Sequence, residues 1–336
     1  MLPDVSTPFP SISVVIAARP GQAEVRAVEA ARRLECPSGT LEILVARGRQ
    51  PSVQRNQAAR EARGEWLYFL DDDSTPPPDV LLRCRSHFQD PRVAVIGGPN
   101  LCPPEAPSLE HAFAGAMADS LAFGPSAARY RAEGAVRDSS EKELILCNLL
   151  MRRDRFLEAG GFDEALYPNE ENALMDGLLR GGWRLVYDPD FWVYRRPRAT
   201  RRAFARMVFT YGRGRAEQVR LHPSWGSLPN LVPSLFVAYL VLLPWLPRWA
   251  FLGLSLYALA VLISCLRRPR LHPKEFDAAP SKRLSPPFWR VAPWVVATHL
   301  GYGLGFLRGL FTTLKPASAR PKIEVVLERI HPTPSA

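Results

Sequence analysis

The chain has 336 residues, enough for one large or two medium domains, and 47% of them are hydrophobic, which excludes an intrinsically disordered protein. Its net charge of +10 is unevenly distributed: residues 195–336 contain 22 Lys and Arg against 5 Asp and Glu, whereas residues 1–194 contain 21 against 28. A basic C-terminal part points to an anionic membrane lipid surface as a partner and argues against a nucleic-acid binder.

The five cysteines show no CxxC or Cys/His metal spacing. They therefore predict neither a disulfide framework nor a structural zinc site, and they fit a reducing compartment. Residues 1–5 show no basic segment followed by an apolar one, so we expect no secretory leader and a cytosolic first domain.

Apolar, β-branched segments alternate with helical patterns through the first 100 residues. Strands are predicted at residues 11–18 (SISVVIAA), 41–46, 66–70 and 93–96, with helices at 24–34, 54–63 and 79–88. This alternation predicts an α/β fold with a Rossmann-like, doubly wound, mostly parallel sheet that binds ligands at the C-terminal ends of its strands. Further helices are predicted at 153–159 and 172–180, and short strands at 185–187 and 191–194.

Three consecutive aspartates, Asp71, Asp72 and Asp73, directly follow the apolar strand at 66–70. Carboxylates concentrated at the end of a buried strand repel one another unless a cation or hydrogen-bond donors offset their charge. Oxygen ligands at such an edge suit Mg²⁺ or Mn²⁺, which also bind phosphate oxygens. The aspartates therefore predict a metal–diphosphate site or, because Asp is common in turns, a solvated turn.

A second acidic motif, Asn169-Glu170-Glu171-Asn172, precedes the helix predicted at 172–180. Negative charge is favoured at a helix N-terminus, so helix capping is one interpretation. The other is catalytic, because an ionised carboxylate within hydrogen-bond reach of a hydroxyl serves as a general base.

Taken in chain order, these motifs resemble those of the family 2 inverting glycosyltransferases. The resemblance covers roughly residues 10–218 and rests on the SISVVIAA strand, Arg55-Asn56, FLDDD, Gly97-Gly98-Pro99, N-x-x-x-R-R at 148–153, GGFDE, the acid pair and Tyr187-Asp188-Pro189. It implies a GT-A fold, a nucleotide-sugar donor and a single displacement that inverts the anomeric carbon.

The resemblance also implies roles for individual residues. Asp71 and Asp73 would hold Mg²⁺ or Mn²⁺ through a D-x-D element, and Asp72 would lie near the donor ribose. Glu171 would be the catalytic base, with Glu170 as its neighbour. The expected donor-binding residues are Ala18, Arg19, Arg47, Arg55, Asp71, Asp72, Asn148, Arg213 and Arg215.

Two segments depart from the pattern of the family. Ala46-Arg47-Gly48-Arg49 stands where many relatives have acids that read the nucleobase, and Arg195-Arg196 stands where a His is common. Arginine does not replace His as a metal ligand, although it binds phosphate bidentately. The third metal contact therefore has no assigned residue.

Arginines alternate with apolar residues at helical spacing in residues 195–220. One interpretation is a basic amphipathic helix on the lipid headgroups, with Phe204 and Val208 on its apolar face. The alternative is that residues 211–215, which include Arg213 and Arg215, close over a diphosphate. The Q-x-x-R-W segment of processive relatives is absent.

Three apolar segments follow, at about 228–246, 249–266 and 288–311, and the first two have the length and composition of transmembrane helices. Basic residues after the second segment predict a return to the cytoplasm; they are Arg267, Arg268, Arg270, Lys274, Lys282 and Arg283. A glycine series in the third segment predicts close helix packing; it comprises Gly301, Gly303, Gly305 and Gly309. Whether this third segment crosses fully or re-enters stays open.

We therefore expect a cytosolic GT-A domain at residues 1–194, a basic interfacial segment at 195–227, a membrane region at 228–314 and a tail at 315–336 with a short strand or helix at 323–330. The catalytic domain would lie on the cytoplasmic side of a multi-pass inner-membrane protein. The expected function is transfer of a sugar to a lipid-linked or glycan acceptor in envelope or exopolysaccharide assembly, where other assembly proteins are potential partners. Two alternatives are a processive polysaccharide synthase and an inactive membrane scaffold.

Overall fold

An eight-stranded mixed sheet forms the base of the N-terminal part. The computed structural model describes residues 9–164, 166, 169–221, 225–267, 286–313 and 324–330. In the sheet the strand order is β10-β2-β1-β3-β7-β4-β8-β6. The strands of this sheet are β1 (Ile12–Ala18), β2 (Leu41–Arg47), β3 (Trp66–Asp71), β4 (Val93–Gly97), β6 (Arg137–Asp138), β7 (Asn148–Arg152), β8 (Arg184–Tyr187) and β10 (Val326–Ile330).

Five strands of this sheet, β1, β2, β3, β4 and β8, run in one direction. β1 pairs in parallel with β2 and β3, and β4 pairs in parallel with β8. Strand β7 lies between β3 and β4 and is antiparallel to both. The α/β class predicted from the sequence is confirmed, but the sheet is mixed because β6, β7 and β10 run opposite to the other strands.

Helices cover both faces of the sheet, because alternate side chains of each strand point to opposite sides. Ile12, Val14 and Ile16 of β1 pack with α1 and α3, whereas Val15 packs in the core that includes α2, α6 and α7. The helices of the N-terminal part are α1 (Arg26–Ala31), α2 (Pro51–Glu61), α3 (Val80–Arg83), α4 (Ser108–Met117), α5 (Ser120–Phe123), α6 (Arg153–Glu158) and α7 (Glu170–Arg180).

A two-stranded sheet brings the segment after residue 194 back to the edge of the main sheet. It pairs β5 (Asn100–Leu101) with β9 (Val193–Tyr194), and Tyr194 also forms a bridge to Thr75, just beyond the aspartates. Gly98 is required at the crossing, because a Cβ atom there would overlap the carbonyl oxygen of Phe191. The backbone of Arg195, the next residue, therefore lies close to the end of β3.

Between β9 and β10, the described part of the chain forms the α-helices α8 (Arg201–Leu221), α9 (Val232–Leu242), α10 (Phe251–Leu266) and α11 (Phe288–Leu310). Helix α11 packs along α8 so closely that Cβ atoms at Gly305 and Gly309 would overlap the carbonyl oxygens of Phe209 and Arg213. The glycine series predicts close helix packing in the membrane; the packing is confirmed, and its location in a membrane stays a prediction.

The apolar face of α8 packs on protein. Phe204 and Val208 are buried against Phe113 and Met117 of α4, and Phe204 also contacts the ring of Trp294. The interpretation of these two side chains as a lipid-facing stripe is wrong, because α4 and α11 cover them. The helical pattern is right, but its apolar positions mark a protein contact.

Among the residues that the structure describes, two helical segments are long and apolar enough to cross a membrane, Leu228–Trp245 and Arg248–Leu266, and only 17% of each is buried. Large apolar side chains on them are exposed to solvent, among them Leu235, Trp245, Trp249 and Leu252. These segments match the first two predicted spans. The third predicted span forms α11, which packs on α8, α9, α10 and α4; its membrane crossing stays a prediction.

The C-terminal tail contributes β10, which pairs antiparallel with the free edge of β2. Of the two forms predicted for residues 323–330, the strand is confirmed for 326–330. Arg47 on β2 contacts Glu328 on β10 at 2.6 Å, so the tail joins the sheet beside a predicted donor residue. Residue 323, residues 1–5 and the predicted basic residues at 268–283 lie outside the described residues.

Candidate active site

The three aspartates lie at one edge of the sheet, where parallel strands end together. Asp71 is the last residue of β3 and is paired with Ala17 of β1, and the adjacent Ala18 is paired with Arg47 at the end of β2. Ser74 donates its backbone N–H to the Asp71 carbonyl at 3.0 Å, so the aspartates also make a turn. The edge position is the one expected for a ligand site in an open α/β sheet.

A pocket of about 440 Å³ opens between the ends of β1 and β2. The predicted donor residues Ala18, Arg19 and Asp72 line it. Arg49 lines it as well, whereas Arg47 contacts Glu328 and donates to the Gln22 carbonyl at 2.7 Å. Arg49 belongs to the same R-G-R segment but is not among the predicted donor residues. The donor-binding role of Arg47 stays a prediction.

Two arginines neutralise the aspartates. Asp71 Oδ1 accepts a hydrogen bond from Arg55 Nη2 at 2.6 Å, and Asp71 Oδ2 lies 3.0 Å from Arg195 Nη2. Arg195 also donates from Nε to Asp73 Oδ1 at 2.6 Å. Asp72 points elsewhere and accepts from Gln22 Nε2 at 2.8 Å. Burial alone raises the pKa of Asp71, but Arg195 and Arg55 outweigh burial and hold that pKa below its ordinary value.

The carboxylates of Asp71 and Asp73 fit a divalent cation. Both contact the same guanidinium group, that of Arg195, so one positive centre is able to reach both. Hard carboxylate oxygens suit Mg²⁺ or Mn²⁺, whose remaining ligands are commonly waters and phosphate oxygens. Within the described residues no group of three or more His, Cys, Asp and Glu is placed to hold a metal ion, and the third protein ligand remains unassigned.

The acid pair begins helix α7. Glu170 is buried, lies 3.5 Å from Arg55 through its Oε1, and accepts the backbone N–H of Asn169 at 3.1 Å. Burial and then the charge of Glu171 raise the pKa of Glu170 to about 7, although Arg55 acts in the opposite direction. Asn169 has φ of 115°, a left-handed conformation that Asn tolerates better than most side chains. Arg55 thus connects the acid pair with Asp71.

A cavity of about 710 Å³ extends from these acids to the C-terminal helices. Its polar end contains Asp71, Glu170, Glu171, Arg195 and Arg198. Its other walls come mainly from α5, α8 and the segments of α9, α10 and α11; they include Phe123, Tyr130, Tyr211, Arg215, Asn230, Pro233, Phe236, Tyr257, Thr298, His299 and Tyr302. The sequence carries no local signal for this junction, because the residues that line it range from Ala17 to Tyr302.

Three other predicted donor residues have different environments. Asn148 is fully buried in β7, where it accepts from the Tyr68 hydroxyl at 2.9 Å and donates to the Phe191 carbonyl at 2.6 Å. Arg215 lines the cavity, whereas Arg213 lies 3.5 Å from Glu217 on its own helix. The donor-binding roles of all three stay predictions.

Part of the chain is similar in sequence to known glycosyltransferases. Residues 28–155 match the family model described as Glycosyl transferase family 2. A pre-mycofactocin glycosyltransferase of Mycobacterium tuberculosis is 29% identical over 175 residues, which are 52% of this chain. The match spans only 36% of the length of that relative. The same protein from a second strain gives the same figures.

A solved structure is similar over most of the chain. The mannosyltransferase PcManGT from Pyrobaculum calidifontis, in complex with GDP-Man and Mn²⁺, superposes with a TM-score of 0.54 and 14% sequence identity, covering 91% of this chain and 88% of PcManGT. At that identity the likeness concerns the fold. The family match assigns residues 28–155 to a Glycosyl transferase family 2 domain, and the likeness to PcManGT confirms the GT-A fold predicted from the sequence.

Proposed function

We propose that this protein is a membrane-bound, inverting glycosyltransferase that moves a sugar from a nucleotide-diphosphate sugar to a lipid-linked acceptor. The observation that carries the proposal is the cavity that runs from Asp71, Glu170 and Glu171 to the two apolar C-terminal segments. An acceptor anchored in lipid reaches the acids through such a cavity. Cell-envelope or exopolysaccharide assembly is the setting that this chemistry suits.

The donor occupies the edge of the sheet in this proposal. Its nucleoside lies in the pocket formed by Arg19, Arg49 and Asp72, and its diphosphate lies near Asp71 and Asp73. A divalent cation on these two aspartates, when bound, neutralises charge that develops on the leaving diphosphate. PcManGT was solved with GDP-Man and Mn²⁺, which supports a nucleotide-sugar donor and a divalent ion here.

Glu171 is the proposed catalytic base. It lines the cavity beside Glu170, and it takes the proton from the acceptor hydroxyl as that oxygen attacks the anomeric carbon. The new bond joins the acceptor oxygen to the anomeric carbon, while the bond from that carbon to the diphosphate oxygen breaks on the opposite side. The electron pair leaves with the nucleoside diphosphate, and the configuration inverts.

Membrane attachment is proposed through the exposed apolar segments. Trp245 and Trp249, at the turn between them, are 78% and 76% exposed, and exposed apolar surface of this kind needs lipid or a partner to cover it. Arg201, Arg202 and Arg206 on α8 are exposed as well and suit anionic headgroups. A catalytic domain on the cytoplasmic side of the inner membrane agrees with this arrangement.

The test is a donor and acceptor screen with the purified full chain in nanodiscs, measuring nucleoside diphosphate release and the mass of the lipid product. We expect one nucleotide sugar to support transfer of a single sugar, and Glu171→Gln to lower kcat by about 100-fold or more while donor binding is retained. Asp176→Asn, an exposed position on the same helix, is the matched control and should retain activity.

Three results would contradict parts of the proposal. A long polymer product would favour a processive synthase, and the absence of turnover with every donor would favour the inactive scaffold. Loss of donor binding in Glu171→Gln would make Glu171 a structural residue.

A further inference from the structure

Arg195 occupies the position between the two aspartates that the D-x-D element offers to a cation. Its Nη2 lies 3.0 Å from Asp71 Oδ2, and its Nε lies 2.6 Å from Asp73 Oδ1. The pairing of β9 with β5 and a hydrogen bond from Arg195 N to the Leu101 carbonyl at 2.9 Å hold the backbone here. The guanidinium therefore bridges the carboxylates that would bind a metal ion.

A guanidinium in this position opposes metal binding. It remains charged at all physiological pH values and has no lone pair to offer a metal, so it cannot be a ligand. It also occupies Asp71 Oδ2 and Asp73 Oδ1, while Arg55 occupies Asp71 Oδ1. A divalent ion must displace Arg195 from at least one oxygen and must tolerate its positive charge nearby.

A diphosphate removes both obstacles. Its oxygens accept bidentate hydrogen bonds from a guanidinium, and its negative charge offsets the charges of the ion and of Arg195 together. Arg195 also lines the large cavity, so its side chain has open space beside the carboxylates into which it can turn.

We propose that Arg195 is a competitor of the divalent ion in the donor-free enzyme, and that it moves to the diphosphate when the nucleotide binds. Metal and nucleotide then load cooperatively, because the nucleotide removes the cost that Arg195 imposes on the metal ion and such a coupling is reciprocal. This inference rests on the proposed function, since it needs a nucleoside diphosphate at the end of β3.

Mn²⁺ binding to the purified full chain, measured by electron paramagnetic resonance with and without GDP or UDP, tests the proposal without any turnover. We expect wild type to bind Mn²⁺ weakly alone and at least tenfold more tightly with the nucleotide. Arg195→Gln should bind Mn²⁺ alone at least tenfold more tightly than wild type and should lose most of the enhancement by nucleotide. Asp73→Asn should lose Mn²⁺ binding, which assigns the signal to this site.

Arg196→Gln is the matched control, because Arg196 contacts Glu110 on α4 and not the aspartates; it should bind Mn²⁺ as wild type does. Arg195→Lys keeps a cation at this position and should therefore still bind Mn²⁺ only weakly when no nucleotide is present. It is the variant to measure if Arg195→Gln does not fold. Equal affinity of wild type and Arg195→Gln for Mn²⁺ alone would overturn the competition. If wild type binds no Mn²⁺ even with nucleotide, the metal site of the proposed function is itself contradicted, independently of the role of Arg195.

Discussion

Glu170 and Glu171 are adjacent in sequence but have different surroundings. Glu170 is buried and is held by Arg55 and the Asn169 N–H, whereas Glu171 is only partly buried where it lines the cavity. A residue fixed by protein partners is poorly placed to accept a proton from a substrate and well placed to orient its neighbour. The surroundings of the pair thus favour Glu171 as the base and Glu170 as a positioning residue.

The raised pKa of Glu170 predicts a pH-dependent stability. Between its ordinary pKa of 4.5 and its folded value of about 7, the unfolded chain releases a proton that the folded chain retains, so wild type loses stability as pH rises through this window. At about 1.4 kcal/mol per pKa unit the loss is about 3 kcal/mol. Because Gln does not titrate, the stability of Glu170→Gln relative to wild type should increase as pH rises from 4.5 to 7. Above pH 7 this stability difference should stay constant.

Thermal unfolding followed by tryptophan fluorescence at a series of pH values measures this difference. Asp176→Asn removes a carboxylate from the exposed side of the same helix and should follow the wild-type curve. Parallel curves for wild type and Glu170→Gln would show that Glu170 titrates alike in the folded and unfolded states.

At the scale of elements, the contact between α8 and α11 joins the first and the last of the four C-terminal helices described above. Both helices carry glycines where their backbones meet: Gly212 faces the Tyr302 carbonyl, and Gly305 faces the Phe209 carbonyl. At these positions the two backbones are in direct contact. A larger residue would therefore meet backbone atoms, which cannot move aside as a flexible side chain can.

Gly305→Ala should therefore separate the two helices. Its Cβ would overlap the Phe209 carbonyl oxygen, and overpacking of this kind costs about 1–3 kcal/mol. We expect a lower unfolding temperature in detergent. Gly301→Ala is the control on the same helix, because its nearest neighbour is a Val208 methyl group at 3.3 Å, which is able to shift. An equal loss in both variants would contradict the backbone contact as the cause.

The elements also show which features the sequence predicts. Strands β1 to β4 and the edge position of Asp71 follow from local apolar runs and from the rule that ligands bind at strand ends. The reversed insertion of β7 between β3 and β4, and the pairing of β10 with β2 from 281 residues away, depend on contacts between distant segments. The contact of Arg195 with both aspartates likewise needs β9 to pair with β5. β9 lies within the short strand predicted at 191–194, but its pairing with β5 depends on a contact between distant segments.

At the scale of the whole molecule, the cavity lies between two parts of opposite charge. The acidic N-terminal part supplies the carboxylates, and the basic C-terminal part supplies Arg195, Arg198 and Arg215 together with the apolar walls. An amphiphilic acceptor with an anionic group suits this distribution, because its charged end meets arginines and its chain meets Phe236 and Tyr257.

Arg215 and Arg213 lie two residues apart on α8. Substituting each of them distinguishes a role of Arg215 in binding the acceptor from a role in binding the donor. Arg215 lines the cavity and hydrogen bonds to the neutral Gln218 at 3.0 Å, whereas Arg213 is near Glu217. With an anionic lipid acceptor, Arg215→Gln should lower kcat/KM for that acceptor by about tenfold, the loss typical of one charge-assisted hydrogen bond. The Kd for nucleoside diphosphate should not change, and Arg213→Gln should resemble wild type in both measurements. Weaker nucleotide binding by Arg215→Gln, with acceptor kinetics intact, would return Arg215 to the donor site predicted from the sequence.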